Sequence, residues 1–110
     1  MYAVHFMAVR KTLFDSIGGF RPEFDGSQDH DLALRVSRVT NRVKHLDLPL
    51  YHWRESLAST ASNPDNKKWA FDAGLAAAQE HLQEFSKEAT LEKIEDFPGG
   101  LRAKFKARSK

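Results

Sequence analysis

Between Ile17 and Arg35 the chain closes one helix and opens another, and these 19 residues restrict the fold more than any other stretch. Arg10 to Ile17 reads as a short helix stopped by Gly18 and Gly19, since glycine reaches the left-handed backbone that ends helices without a steric penalty. A helical pattern resumes at Ser27. Leu32, Val36, Val39 and Val43 recur at spacings of four, three and four, the period of one helix face, while Arg35, Arg38 and Arg42 fall on another. Ser27 is placed to cap this helix, and Asp29 and Asp31 in its first turn suit the positive end of the helix dipole.

The rest of the chain mixes both kinds of element. Tyr2 to Val9 is a strand-like apolar run with no turn or cap ahead of it. Lys44 to Leu46 and Leu48 to Trp53 read as short strands around Asp47, with Pro49 favouring a sheet edge. After a polar loop from Ala58 to Asn66, Asn63-Pro64 is a good entrance to a helix running to about Ser86. Phe71, Leu75, Ala78, Leu82 and Phe85 form one stripe of that helix, and Ala70, Ala73, Gly74 and Ala77 form an adjacent face that permits close approach. Thr90 to Phe97 and Leu101 to Ala107, separated by Pro98-Gly99-Gly100, read as a β-hairpin.

A chain of 110 residues has room for one modest hydrophobic core. No run approaches the roughly 20 apolar residues that cross a bilayer, and the N-terminus lacks a signal-peptide pattern, so a cytoplasmic protein is expected. The absence of cysteine excludes disulfides and thiolate metal sites. Seventeen basic against 15 acidic residues leave a net charge of +2, too small to imply a nucleic-acid partner.

The stretch Ile17-Gly18-Gly19-Phe20-Arg21-Pro22 through Gln28-Asp29-His30-Asp31-Leu32, with Leu48-Pro49-Leu50-Tyr51-His52-Trp53-Arg54 and Ser59-Thr60 downstream, resembles the second half of a family 2 nucleotide-sugar glycosyltransferase. The resemblance runs from about Tyr2 to Ser86 and implies an α/β architecture. This would be the C-terminal part of a GT-A fold, with helices packed on a small mixed sheet. Residues 1–86 would be the acceptor-side portion of the transferase domain, and 87–110 a C-terminal hairpin or a linker to a following domain. A complete domain of this kind needs roughly twice this length, about 200–250 residues. The chain is therefore expected to be a portion of a longer enzyme, inactive alone, whose N-terminal nucleotide-binding half carries the metal-binding Asp-x-Asp. The one such triplet here, Asp29-His30-Asp31, sits at the acceptor end.

The resemblance also implies the chemistry, an inverting transfer of a hexose or deoxyhexose from a nucleotide-sugar to a glycan or lipid-linked acceptor in bacterial surface polysaccharide synthesis. Asp29 would be the base that collects the acceptor proton. Gly18 and Gly19 would shape the acceptor side, with Gln28, which stands where many members have Glu, and His30 beside the substrate. His52 would assist a Mn or Mg diphosphate site, with Trp53 and Arg54 also binding substrate. An imidazole can ligate a divalent cation, and an arginine fork can grip a phosphate.

Each assignment has a plainer counterpart. Asp29 and Asp31 can simply stabilise the helix dipole, about 0.3–1 kcal/mol each. A Gly-Gly at a helix end is commonly a C-cap. Phe20, Phe24, Tyr51 and Trp53 can stack on sugar rings or fill a core. Arg102, Lys104, Lys106 and Arg108 alternate with apolar residues, which suits an anionic membrane surface or a strand edge protected from aggregation. Peripheral membrane association is accordingly an expectation; oligomerisation is expected of this portion alone, through apolar surface along Tyr2 to Val9 or Phe71 to Phe85 that the other half would cover, and a nucleic-acid partner is not expected. The rival functions are a non-catalytic interaction module on the same scaffold and a small basic nucleic-acid binder.

Overall fold

The structure, a computed structural model, describes residues 6–52, 68–97 and 99–106. Helix α1 spans Lys11–Ser16, a 3₁₀ turn follows at Pro22–Phe24, and helix α2 spans Gln28–Val39. Helix α3 (Lys68–Phe85) leads into strands β1 (Thr90–Lys93) and β2 (Leu101–Lys104). The class is α/β as expected, and the sheet among the described residues is a two-stranded antiparallel hairpin.

The glycine pair ends α1 in a Schellman motif. Gly19 N–H donates to the Phe14 carbonyl at 2.9 Å and Gly18 N–H to that of Asp15 at 3.1 Å, with φ of +83° and +68° at Gly18 and Gly19. Both hydrogen bonds satisfy carbonyls that the helix leaves open, and both glycines hold backbone angles that side chains disfavour. The Phe14 ring then covers Gly19, where an added Cβ would lie 3.0 Å from it.

Helix α2 packs on α3 through small residues. Gly74 and Ala77 are the buried positions of α3, whereas Phe71 and Phe85 of the larger stripe are exposed. A Cβ on Gly74 would come within 3.0 Å of Ser27 Oγ, so the start of α2 rests directly on that turn of α3. Ser27 occupies the cap position but does not cap: its hydroxyl donates instead to the Ala70 carbonyl at 2.7 Å, tying the two helices. Phe24, Leu32, Ala77 and Ala89 are the buried apolar side chains among the described residues, and the charged pair Asp31 and Arg35 is buried as well.

The hairpin pairs Thr90 with Lys104 and Lys93 with Leu101. Strand β1 is shorter than expected because Ile94 to Phe97 enter the turn, where Phe97 N–H donates to the Ile94 carbonyl at 3.2 Å. Gln79 of α3 fastens the hairpin with both ends of its amide, donating to the Ala89 carbonyl at 2.9 Å and accepting from Leu91 N–H at 2.7 Å.

Four expected elements differ. Residues 7–9 and 41–52 are not strands, and the latter are exposed throughout. Amides there close locally: Val43 N–H donates to the Asn41 carbonyl and Leu50 N–H to that of Leu48, each at 2.9 Å. Such three-residue turns replace the ladder that a strand requires. Helix α2 stops at Val39, leaving Val39 and Val43 exposed rather than in the apolar stripe. The expected strand residues Tyr2–His5 and Trp53, and the helix start before Lys68, lie outside the described residues. No described helix is long and apolar enough to cross a membrane.

Candidate functional site

The glycine turn delivers Phe20 and Arg21 beside the start of α2. Phe20 is exposed and meets Phe14 edge-on, with ring centroids 5.2 Å apart. Together with Met7, Val9, Asp29 and Leu32, these rings line a half-open concavity of about 310 Å³. This lies at the lower end of small-molecule sites, which run from about 300 to 1,000 Å³. Asp29 supplies its one carboxylate. Asp29 Oδ1 accepts from His30 N–H at 2.7 Å, and among the described residues no cation pairs with it.

Asp31, two positions on, has the opposite environment. It is buried, and its carboxylate receives the guanidinium of Arg35, with Nη2 at 2.7 Å and Nε at 3.0 Å, and that of Arg21. Burial works to raise the Asp31 pKa, but the hydrogen bonds from the two arginines outweigh it and hold the carboxyl below its ordinary value. The hydrogen bond to Asp31, supported by Glu80 and opposed by burial, pushes the Arg21 pKa upward. Arg35 continues to the backbone: Nη1 donates to the Ile17 carbonyl at 2.7 Å and Nη2 to that of Gly19 at 2.6 Å. Arg21 reaches α3 through Glu80 Oε1 at 3.0 Å and stacks over Phe24, 4.3 Å from the ring centroid.

The structure therefore puts Asp29 on the lining of the concavity, with Gly18 and Gly19 in the turn before Phe20 and outside that lining, and adds an Asp31–Arg35–Arg21–Glu80 network that the helix-face reading of the arginines missed. Arg35 was placed by its spacing on a polar face, yet it is buried; the signal that pointed inward was its position four residues after Asp31, the distance of a helical ion pair. His30 is half-buried with Nδ1 turned towards Gly74, 3.5 Å from where a Cβ would stand. Desolvation lowers its pKa despite the neighbouring Asp29 charge, which favours the neutral ring. Gln28 is exposed at the helix start, and His52 is exposed at the end of the irregular segment, outside the lining of the concavity. Trp53 and Arg54 lie outside the described residues.

No cluster of three or more His, Asp or Glu able to hold a metal occurs among the described residues. A lone imidazole does not make a Mg or Mn site, which takes several oxygen ligands. A cation at His52 would depend on ligands from elsewhere. The continuous basic face that a nucleic-acid binder needs is interrupted: Arg35 is buried, Arg38 pairs with Glu84 at 3.1 Å, Arg102 and Lys104 pair with Glu92, and Lys106 pairs with Glu88.

No family model and no solved structure matches the chain. Two curated proteins resemble it. It is 44% identical over 81 residues to a protein named O-antigen biosynthesis protein RfbC from Myxococcus xanthus, and 37% identical over 83 residues to uncharacterized protein y4gI of Sinorhizobium fredii. Each match covers 74% of this chain but only 6% and 9% of the respective relative. The chain thus corresponds to a small part of two much longer bacterial proteins, one of them named for O-antigen synthesis.

Proposed function

We propose that this chain is the acceptor-side portion of a GT-A-type, family 2 inverting glycosyltransferase that works in surface polysaccharide synthesis, with Asp29 as its base. One observation carries the reading: of the two carboxylates at the start of α2, Asp31 is committed to Arg21 and Arg35, whereas Asp29 borders an open concavity and pairs with no cation among the described residues. The resemblance to the O-antigen biosynthesis protein supports the polysaccharide setting.

In this reading the acceptor hydroxyl sits against Asp29. Its oxygen attacks the anomeric carbon of the donor from the face opposite the diphosphate, the bond to the diphosphate breaks, and the hydroxyl proton passes to Asp29. A carboxylate fixed by a helix start suits that role because it needs only to be in place as the new bond forms. The donor, the diphosphate and any divalent cation belong to a nucleotide-binding half, with His52 as the metal ligand this chain would contribute.

The test is kinetic and uses the full-length parent. Asp29→Asn keeps shape but cannot accept the proton, so turnover should fall about 100- to 10,000-fold with donor binding retained. His52→Ala should weaken Mn-dependent binding of nucleoside diphosphate, read by calorimetry. Near-normal turnover of Asp29→Asn would overturn the base assignment. A non-catalytic interaction module is the second reading, favoured by the apolar character of the other lining residues, Met7, Val9, Phe14, Phe20 and Leu32.

A further inference from the structure

The geometry points to Arg35 as a positioning residue that holds the two walls of the concavity in register, an inference that rests on the reading of Asp29 as base. One wall is carried by α1 and the turn after it, which present Phe14 and Phe20 respectively. The other is α2, which presents Asp29 and Leu32. Arg35 belongs to α2 but grips the first wall at two carbonyls, Ile17 at 2.7 Å and Gly19 at 2.6 Å, on either side of Gly18 and immediately before Phe20.

Its own orientation is fixed by Asp31, which takes Nε and Nη2. Asp31 is in turn held by Arg21, which also bridges to Glu80 of α3. The guanidinium therefore spends donors in three directions at once, two towards the turn and one towards its own helix. It makes four hydrogen bonds in doing so, one more than the three donors of an ammonium, which also lacks the fixed plane of the fork. None of these groups lines the concavity, so Arg35 acts through the placement of Phe14 and Phe20 opposite Asp29 rather than on a ligand.

Arg35→Lys keeps the charge and removes the fork, and Arg38→Lys on the same helix is the control. In this chain, amide resonances of Gly18, Gly19 and Phe20 should move in Arg35→Lys while those of the hairpin stay in place, and Arg38→Lys should leave the glycine turn unchanged. In the full-length parent, assayed with a panel of nucleoside-diphosphate hexoses and p-nitrophenyl hexoside acceptors, Arg35→Lys should raise the acceptor KM and lower kcat/KM by about 100-fold, the scale of an ångström-sized misplacement. The donor KM should not change. Mere loss of folded enzyme would lower kcat with both KM values intact, and that pattern overturns the inference. So does an Arg35→Lys chain whose glycine-turn resonances match the wild type. Should the parent give no turnover with this panel, the resonances alone decide. Normal turnover of Asp29→Asn alongside an impaired Arg35→Lys would remove the base and leave the positioning role standing.

Discussion

Asp29 and Asp31 are separated by about 200° around the helix axis, since each residue of an α-helix turns the chain by about 100°. That rotation puts one carboxylate over the concavity and the other into the core. Breaking a buried ion pair by removing one partner leaves an uncompensated charge and costs about 3–5 kcal/mol. Asp31→Ala strands Arg35, which is 7% exposed, and is expected to lose stability on that scale in denaturant unfolding. Asp29→Asn removes only a first-turn charge and should cost less than about 1 kcal/mol. Equal losses for the two variants would contradict the division of labour. From sequence the two residues were indistinguishable as first-turn acids, because the dipole argument applies to both and says nothing about which one the fold buries.

At the level of elements, helices and the hairpin were legible where local chemistry decides them. The Gly18-Gly19 stop, the start of α2 and the turn near Gly99 follow from backbone preferences that act within a few residues. The strands at 44–46 and 48–52 were not, because a strand exists only through its neighbour and alternation cannot supply one. In α3 the small-residue face read from the sequence holds the seam, while Phe71 and Phe85 of the large-residue stripe are exposed. Gly74 and Ala77 are buried because two backbones approach there, and closeness favours the smallest side chains over the most apolar ones. Gln79 joins α3 to the hairpin through a donor and an acceptor, so Gln79→Leu, which has neither, should speed hydrogen exchange at Leu91 while exchange within α3 stays slow. Unchanged protection of Leu91 would show that strand pairing alone holds the hairpin.

For the molecule as a whole, acid should loosen the fold in two stages. Desolvation holds His30 and His81 below the ordinary value of 6.5, with Arg38 also acting against a charged His81. Between the depressed folded values and 6.5 the unfolded chain binds more protons, so stability rises with pH there; this contribution is complete above 6.5 and is lost as pH falls. Asp31, depressed below 3.8, adds a second loss only in stronger acid. The thermal midpoint should therefore drop between about pH 7.5 and about 5.5, and the double variant His30→Gln, His81→Gln should flatten the drop. A midpoint that stays level in the wild type would exclude the histidines.

The turn into α2 also has a use outside chemistry. Gly26 holds φ at +81° and leaves no room for a Cβ, because the Trp69 ring of α3 lies across it. The indole is therefore half in solvent and half against the loop that aims Asp29. With Trp53 changed to Phe, the chain keeps a single tryptophan, located where α3 meets the start of α2, which can be excited selectively at the red edge of the absorption. The colour of its emission then becomes an internal gauge of whether that loop is seated.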